Sequence, residues 1–234
     1  MWRDKNSGYS LVEMLVVVGL AGVVTLITTT FLRNQAQIAM ESKARDQSRD
    51  MNRDLLNIIE RDMTFRFAPN TFSIDPTQLS LTIDRRQALN LNLLSAFNNR
   101  YQVRYQTRCV NRPIALNSYQ TLTAQLASPR LTNQGRCLRL IRCGGNQVPH
   151  VFVDTFGSGR IPPYGIREYP RPSSDLKTVR SRPMGSAACF TSNGNQVRII
   201  VDTISSQGAD LFRVTSADRS LEVGASNLLL LPHE

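Results

Sequence analysis

The sequence predicts an α+β protein, one long N-terminal helix packed on a mostly antiparallel β-sheet head. Three observations carry that reading. No proline occurs before Pro69, and no glycine lies between Gly22 and Gly135, so nothing breaks a helix running from Tyr9 to Arg66. Leu11–Leu32 is strongly apolar and, at 1.5 Å per residue, rises about 33 Å, enough to cross a hydrocarbon core. From Phe67 onward the texture changes to short alternating runs bounded by turn residues.

The helix has two characters. Arg3 and Lys5 precede the apolar half and favour a cytoplasmic N-terminus, although Arg33 beyond it weakens the asymmetry. A cleaved secretory signal would have a shorter core and an A-x-A-like site, and none stands around Thr28–Thr30. In the second half, Met40, Ala44, Met51, Leu55, Ile58 and Ile59 fall on one arc, a stripe suited to a core. Opposite them, Asp46 and Asp50 precede Arg49 and Arg53 at i,i+3, a spacing for a wet surface. The first half therefore needs lipid or other helices around it. The second needs the head.

In the head, Leu79–Asp84, Tyr101–Val110, Cys137–Arg142, His150–Phe156, Asn195–Ile204 and Asp210–Ser216 read as strands with one polar face. Gln87–Phe97 fits a short helix or a strand. Gly157–Ala188 is a long segment without strand or helix rhythm, rich in proline, glycine and arginine. Long loops of this kind are commonly functional or disordered. Its Arg160, Arg167, Arg171, Lys177, Arg180 and Arg182, with neighbouring tyrosines, are candidate contacts for an anionic ligand, DNA or an acidic glycan. A tethering loop pinned by Cys189 is the plainer alternative.

The net charge of +10 is concentrated after Phe67 and is nearly all arginine, which suits anionic partners as well as an ordinary solvated face. Cys109, Cys137, Cys143 and Cys189 form an even set, compatible with two disulfides in an oxidising compartment. Three connectivities exist. The short "CLRLIRC" spacing suggests Cys137 with Cys143, leaving Cys109 with Cys189; free thiols are the alternative. The spacing offers no metal site, there being only two histidines and no CxxC. No catalytic constellation is recognisable, and His150 in its strand reads as a packed or surface residue rather than a base. No cofactor is implied, and the chain reads as a non-enzyme.

One residue is out of place in a membrane helix. Glu13 lies near the start of the apolar run, where a carboxylate costs about 2.5–3.5 kcal/mol unless it has a partner or an interface. With it, "GYSLVEMLVVVGLAGVV" resembles the N-terminal signature of type IV pilins and type II secretion pseudopilins. The resemblance covers about the first 30 residues. Tyr9 replaces the usual phenylalanine, and Thr30 stands where many family helices carry proline.

The resemblance implies a leader at residues 1–8, cut by a prepilin peptidase after Gly8, and N-methylation of Tyr9. It implies a helix over 9–66, transmembrane to about 32, and a pilin-like extracytoplasmic head over 67–234. Glu13 becomes the fifth mature residue, docking the Tyr9 amine within or between subunits. The implied partners are the peptidase, other major and minor pilins or pseudopilins, and the inner-membrane assembly platform. The implied location is the bacterial inner membrane with a periplasmic head, then the filament. Size and head elaboration suggest a minor subunit of the W or J type. A tip adhesin, a DNA-binding pilin and a membrane-anchored periplasmic protein unrelated to pili are the alternatives.

Overall fold

The computed structural model describes residues 10–66, 72–84, 100–112, 117–156, 166–171, 182–207 and 211–223. The chain divides into two compact units, Met1–Met40 and Glu41–Glu234. One helix, α1 (Leu11–Thr64), contributes residues to both. The segment Gln87–Phe97 lies outside the described residues.

In the first unit the described residues are helix apart from Ser10, and every side chain is exposed. Leu11, Leu15, Leu20, Ile27 and Phe31 are among those with no cover. The hydroxyls of Thr25, Thr28, Thr29 and Thr30 fold back onto carbonyls of the preceding turn, at 2.7–3.0 Å. Each donor is thereby satisfied within its own helix, as an apolar surround requires.

In the second unit the helix becomes a core element. Ala44, Leu55 and Ile59 of the expected stripe are buried, Met51 and Ile58 are partly buried, and Met40 is exposed. Leu56 and Met63 join them, together with the polar Ser48, Asn52 and Asp62. The arc alone did not disclose the polar members, because their partners come from distant strands. Asn52 donates to the Thr215 carbonyl at 2.8 Å and accepts from the Thr203 hydroxyl.

Two antiparallel sheets complete the head. The first has the order β1 (Phe72–Asp75), β2 (Gln78–Asp84), β3 (Arg100–Asn111), β4 (Gln147–Phe156), β5 (Arg167–Tyr169). The second is the meander β6 (Pro183–Asn193), β7 (Gln196–Ser206), β8 (Phe212–Glu222). Gly194 at φ 58° makes the tight β6–β7 turn, a backbone shape that favours glycine. In β3, Val103, Tyr105 and Thr107 point inward while Arg104, Gln106 and Arg108 stay partly exposed, the period of two that marked it in sequence. The main core joins Leu55, Ile59 and Met63 of α1 to residues of both sheets, including Leu81, Tyr105 and Ile199.

Between β3 and β4 lies an insert with α2 (Asn117–Ala127) and α3 (Pro129–Thr132). It covers the other face of the second sheet, building a second core from Leu122, Leu131, Leu138, Met184, Ile204 and Phe212. This corrects the expected one polar face for β7, whose residues from Val201 to Ser206 are all buried.

Three further expectations are corrected. Cys137–Arg142 is not a strand but a turn, wound by bonds from Leu140 N–H to the Cys137 carbonyl (2.9 Å) and Ile141 N–H to the Leu138 carbonyl (3.3 Å). The disulfides are Cys109–Cys143 and Cys137–Cys189, each with Cα atoms 5.5 Å apart. The short Cys137–Cys143 ring is not formed, because the turn buries Cys137 against β6 and delivers Cys143 to β3. Within Gly157–Ala188, β5 and the start of β6 interrupt the stretch that reads as rhythmless.

Candidate docking segment and head surfaces

At the start of α1, Ser10 precedes the first helical residue and Glu13 lies three residues further on. The Ser10 hydroxyl accepts the Val12 N–H at 3.4 Å, and the Glu13 carboxylate accepts the Ser10 N–H at 3.0 Å. This is a variant of the capping box, with the serine hydroxyl on the second rather than the third helical N–H, and it satisfies two donors. A carboxylate in the first turn is also favoured by the helix dipole. Serine followed three residues later by glutamate, in "SLVE", is the sequence signature of such a cap. Gly8 and Tyr9 lie outside the described residues.

Of the loop cations, Arg167, Arg171 and Arg182 are among the described residues. Arg167 sits on β5 and lines a shallow cleft with Arg61, Asp62, Tyr101 and Tyr169. Arg171 and Arg182 are exposed on either side of residues 172–181. Arg160, Lys177 and Arg180 lie outside the described residues.

Much of the polar interior of the head holds strands together. Asp62 takes the Tyr105 hydroxyl and the Arg61 guanidinium at 3.2–3.3 Å. Burial outweighs these partners and raises the Asp62 carboxyl above its usual range. The Tyr105 phenol is pushed well up by burial and by Asp62 beside it. On the first sheet, Glu168 bonds Arg112 and His150 at 2.7 Å each. Burial, reinforced by the Arg112 guanidinium, pushes His150 down to about 3. Glu168 does not reverse this, since Arg112 neutralises it at the same distance. The imidazole is therefore a neutral structural link, buried in β4.

Asp202 was not singled out in the sequence. Fully buried on β7, it accepts the N–H groups of Cys137 (2.6 Å) and Leu138 (3.0 Å) and the Ser216 hydroxyl (2.5 Å). A Cβ at Gly135 would meet its Oδ2 at 2.5 Å, so glycine is needed where the turn approaches. Among the described residues no cluster of histidine, cysteine and carboxylates could hold a metal.

α1 is long and apolar enough to cross a membrane, begins with a capped acid, and is followed by a helix-plus-sheet head. Residues 3–29 match the family described as Prokaryotic N-terminal methylation motif. This N-terminal methylation motif supports a place in the type IV pilin and pseudopilin family. No curated protein and no solved structure matches the chain. The motif implies processing by a prepilin peptidase and assembly with other pilins. It points to a structural protein anchored in a membrane, and the α+β head on a long helix agrees with the pilin-like form.

Proposed function

We propose that the chain is a minor pilin or minor pseudopilin that primes or caps a type IV pilus or type II secretion pseudopilus. The carrying observation is Glu13, a carboxylate in the first turn of an exposed apolar helix, bonded among the described residues to the Ser10 N–H. Cleavage after Gly8 places a new amine at Tyr9, four residues from this carboxylate. The amine of one subunit and Glu13 of another then form a charge pair that sets axial register, as one buried polar group does in coiled coils. The stapled insert supports a low-copy subunit, because it adds a second core that helix packing does not require.

Co-expression with a prepilin peptidase tests the reading. Removal of eight residues, abolished by Gly8→Arg, is expected; no trimming, or trimming of the variant, overturns it. Two substitutions at Glu13 then separate capping from docking. Gln retains the capping acceptor but loses the charge, whereas Ala loses both. Both variants are expected to be trimmed and to fail in incorporation into filaments. Normal incorporation of Glu13→Gln removes the charge pair from the mechanism.

A further inference from the structure

The sequence from residue 85 to residue 153 contains no aspartate, glutamate or lysine and ten arginines. Four of these, Arg130, Arg136, Arg139 and Arg142, lie on the insert, and all four are exposed. The two i+3 to i bonds of the turn give it 3₁₀ character, in which residues three apart share a side. Cys137 and Leu138 face the core, so the three-residue spacing leaves Arg136, Arg139 and Arg142 outward. Arg139 donates to the Asn133 carbonyl at 2.8 Å, bringing the turn against the end of α3, where Arg130 stands.

This surface is held rigid from below. Cys137 is bonded to β6, Cys143 to β3, and Asp202 grips the turn's amides. The charge is little neutralised. Arg136 shares Asp218 with Arg198 at 3.1 and 2.6 Å, whereas Arg130, Arg139 and Arg142 make no ion pair among the described residues. All the cations are guanidiniums, whose planar fork matches phosphate oxygens. The exposed large apolar side chain beside them is Leu140 rather than an aromatic ring, so among the described residues this surface shows no exposed ring for base stacking.

We infer that the disulfide-stapled insert binds the phosphate backbone of duplex DNA without sequence preference, through Arg130, Arg139 and Arg142. This moves the anionic-ligand surface from the Gly157–Ala188 segment to the insert. It rests on the head alone, so Gly8→Arg, which tests the filament reading, leaves DNA binding unchanged.

The test uses the full chain in non-ionic detergent with a labelled duplex of random sequence, titrated with salt. Three phosphate contacts give a log–log salt slope of about −2.7, at −0.9 per contact. Arg139→Gln with Arg142→Gln is expected to bring the slope to about −1, each lost contact removing about one unit. Arg171→Gln with Arg182→Gln, outside the insert, leaves the slope unchanged. Circular dichroism and a free-thiol assay establish that each variant remains folded and oxidised. No duplex binding at low salt overturns the inference. So does a loss confined to the Arg171/Arg182 pair, or binding to heparin with none to DNA, which reassigns the surface to acidic glycans.

Discussion

The two halves of α1 share one backbone and opposite situations. From Leu11 to Leu32 the side chains are exposed, with apolar groups all round the helix. From Glu41 to Thr64 the apolar groups gather into one stripe, whose other side carries exposed Arg45, Asp46, Arg49 and Asp50. A helix apolar all round requires an apolar surround, whereas a striped helix requires only one apolar neighbour. The second half finds that neighbour in its own chain. The side chains of the first are exposed, so it calls for lipid or for other chains.

The largest effect that can break this contrast is truncation of the same kind of side chain in each half. Ile59→Ala removes a fully buried side chain from the main core and is expected to cost the head about 2–5 kcal/mol. Leu20→Ala removes one that is exposed and should leave the denaturant midpoint of the head unmoved. The readout is the tyrosine near-ultraviolet signal, since the one tryptophan, Trp2, lies outside the head. A shift with Leu20→Ala would mean that the first half has cover within its own chain.

Acid also acts on the head. The folded His150, near 3, is depressed below its ordinary 6.5, so the unfolded chain takes up a proton that the folded one refuses. The contribution is present above pH 6.5 and is lost as the pH falls toward 3, amounting to a few kcal/mol at the acid end. Arg112 and Glu168 face the ring. Raised Asp62 works in the other direction, its contribution growing as the pH falls through its folded value toward 3.8. His150→Gln is expected to flatten the decline below pH 6.5 in urea titrations. An unchanged slope would mean that the imidazole is charged in the folded state.

The insert sharpens the contrast further, because it stabilises by covalent closure what α1 stabilises by burial. Cys137→Ser with Cys189→Ser opens a link across 52 residues, and about 2–4 kcal/mol is expected to be lost. The loss should appear in unfolding of the head and leave membrane insertion of α1 as it was. A chain trimmed and folded equally well without the link would show that the insert holds by its apolar core alone.

How much of this was legible depended on the range of the interaction. The helix followed from missing prolines and glycines, and β2, β3 and β4 from alternation, all local signals. Ala44, Leu55 and Ile59 were readable from their arc. Asn52, Asp62 and Asp202 were not, because a buried polar residue is defined by partners far along the chain, such as Thr215, Tyr105 and Cys137. Cysteine pairing failed for the same reason: nearness in sequence favoured Cys137 with Cys143, while the turn placed them against different strands. Glu13 was found by its charge, yet its partner in the chain, Ser10, was overlooked although the capping signature is local.

The smallest effect tests that partner. Ser10→Ala removes the hydroxyl bonded to Val12 N–H but leaves the backbone N–H that Glu13 accepts. Loss of an N-cap costs about 0.5–2 kcal/mol, and the 3.4 Å contact here favours the lower end. Faster amide exchange is expected at Val12 and not beyond the first turn, with no change in the head. Since Glu13 keeps its acceptor role, filament incorporation should survive Ser10→Ala while failing in Glu13→Gln. If both substitutions abolished incorporation equally, the helix start itself, and not the charge of Glu13, would be what a neighbouring subunit recognises.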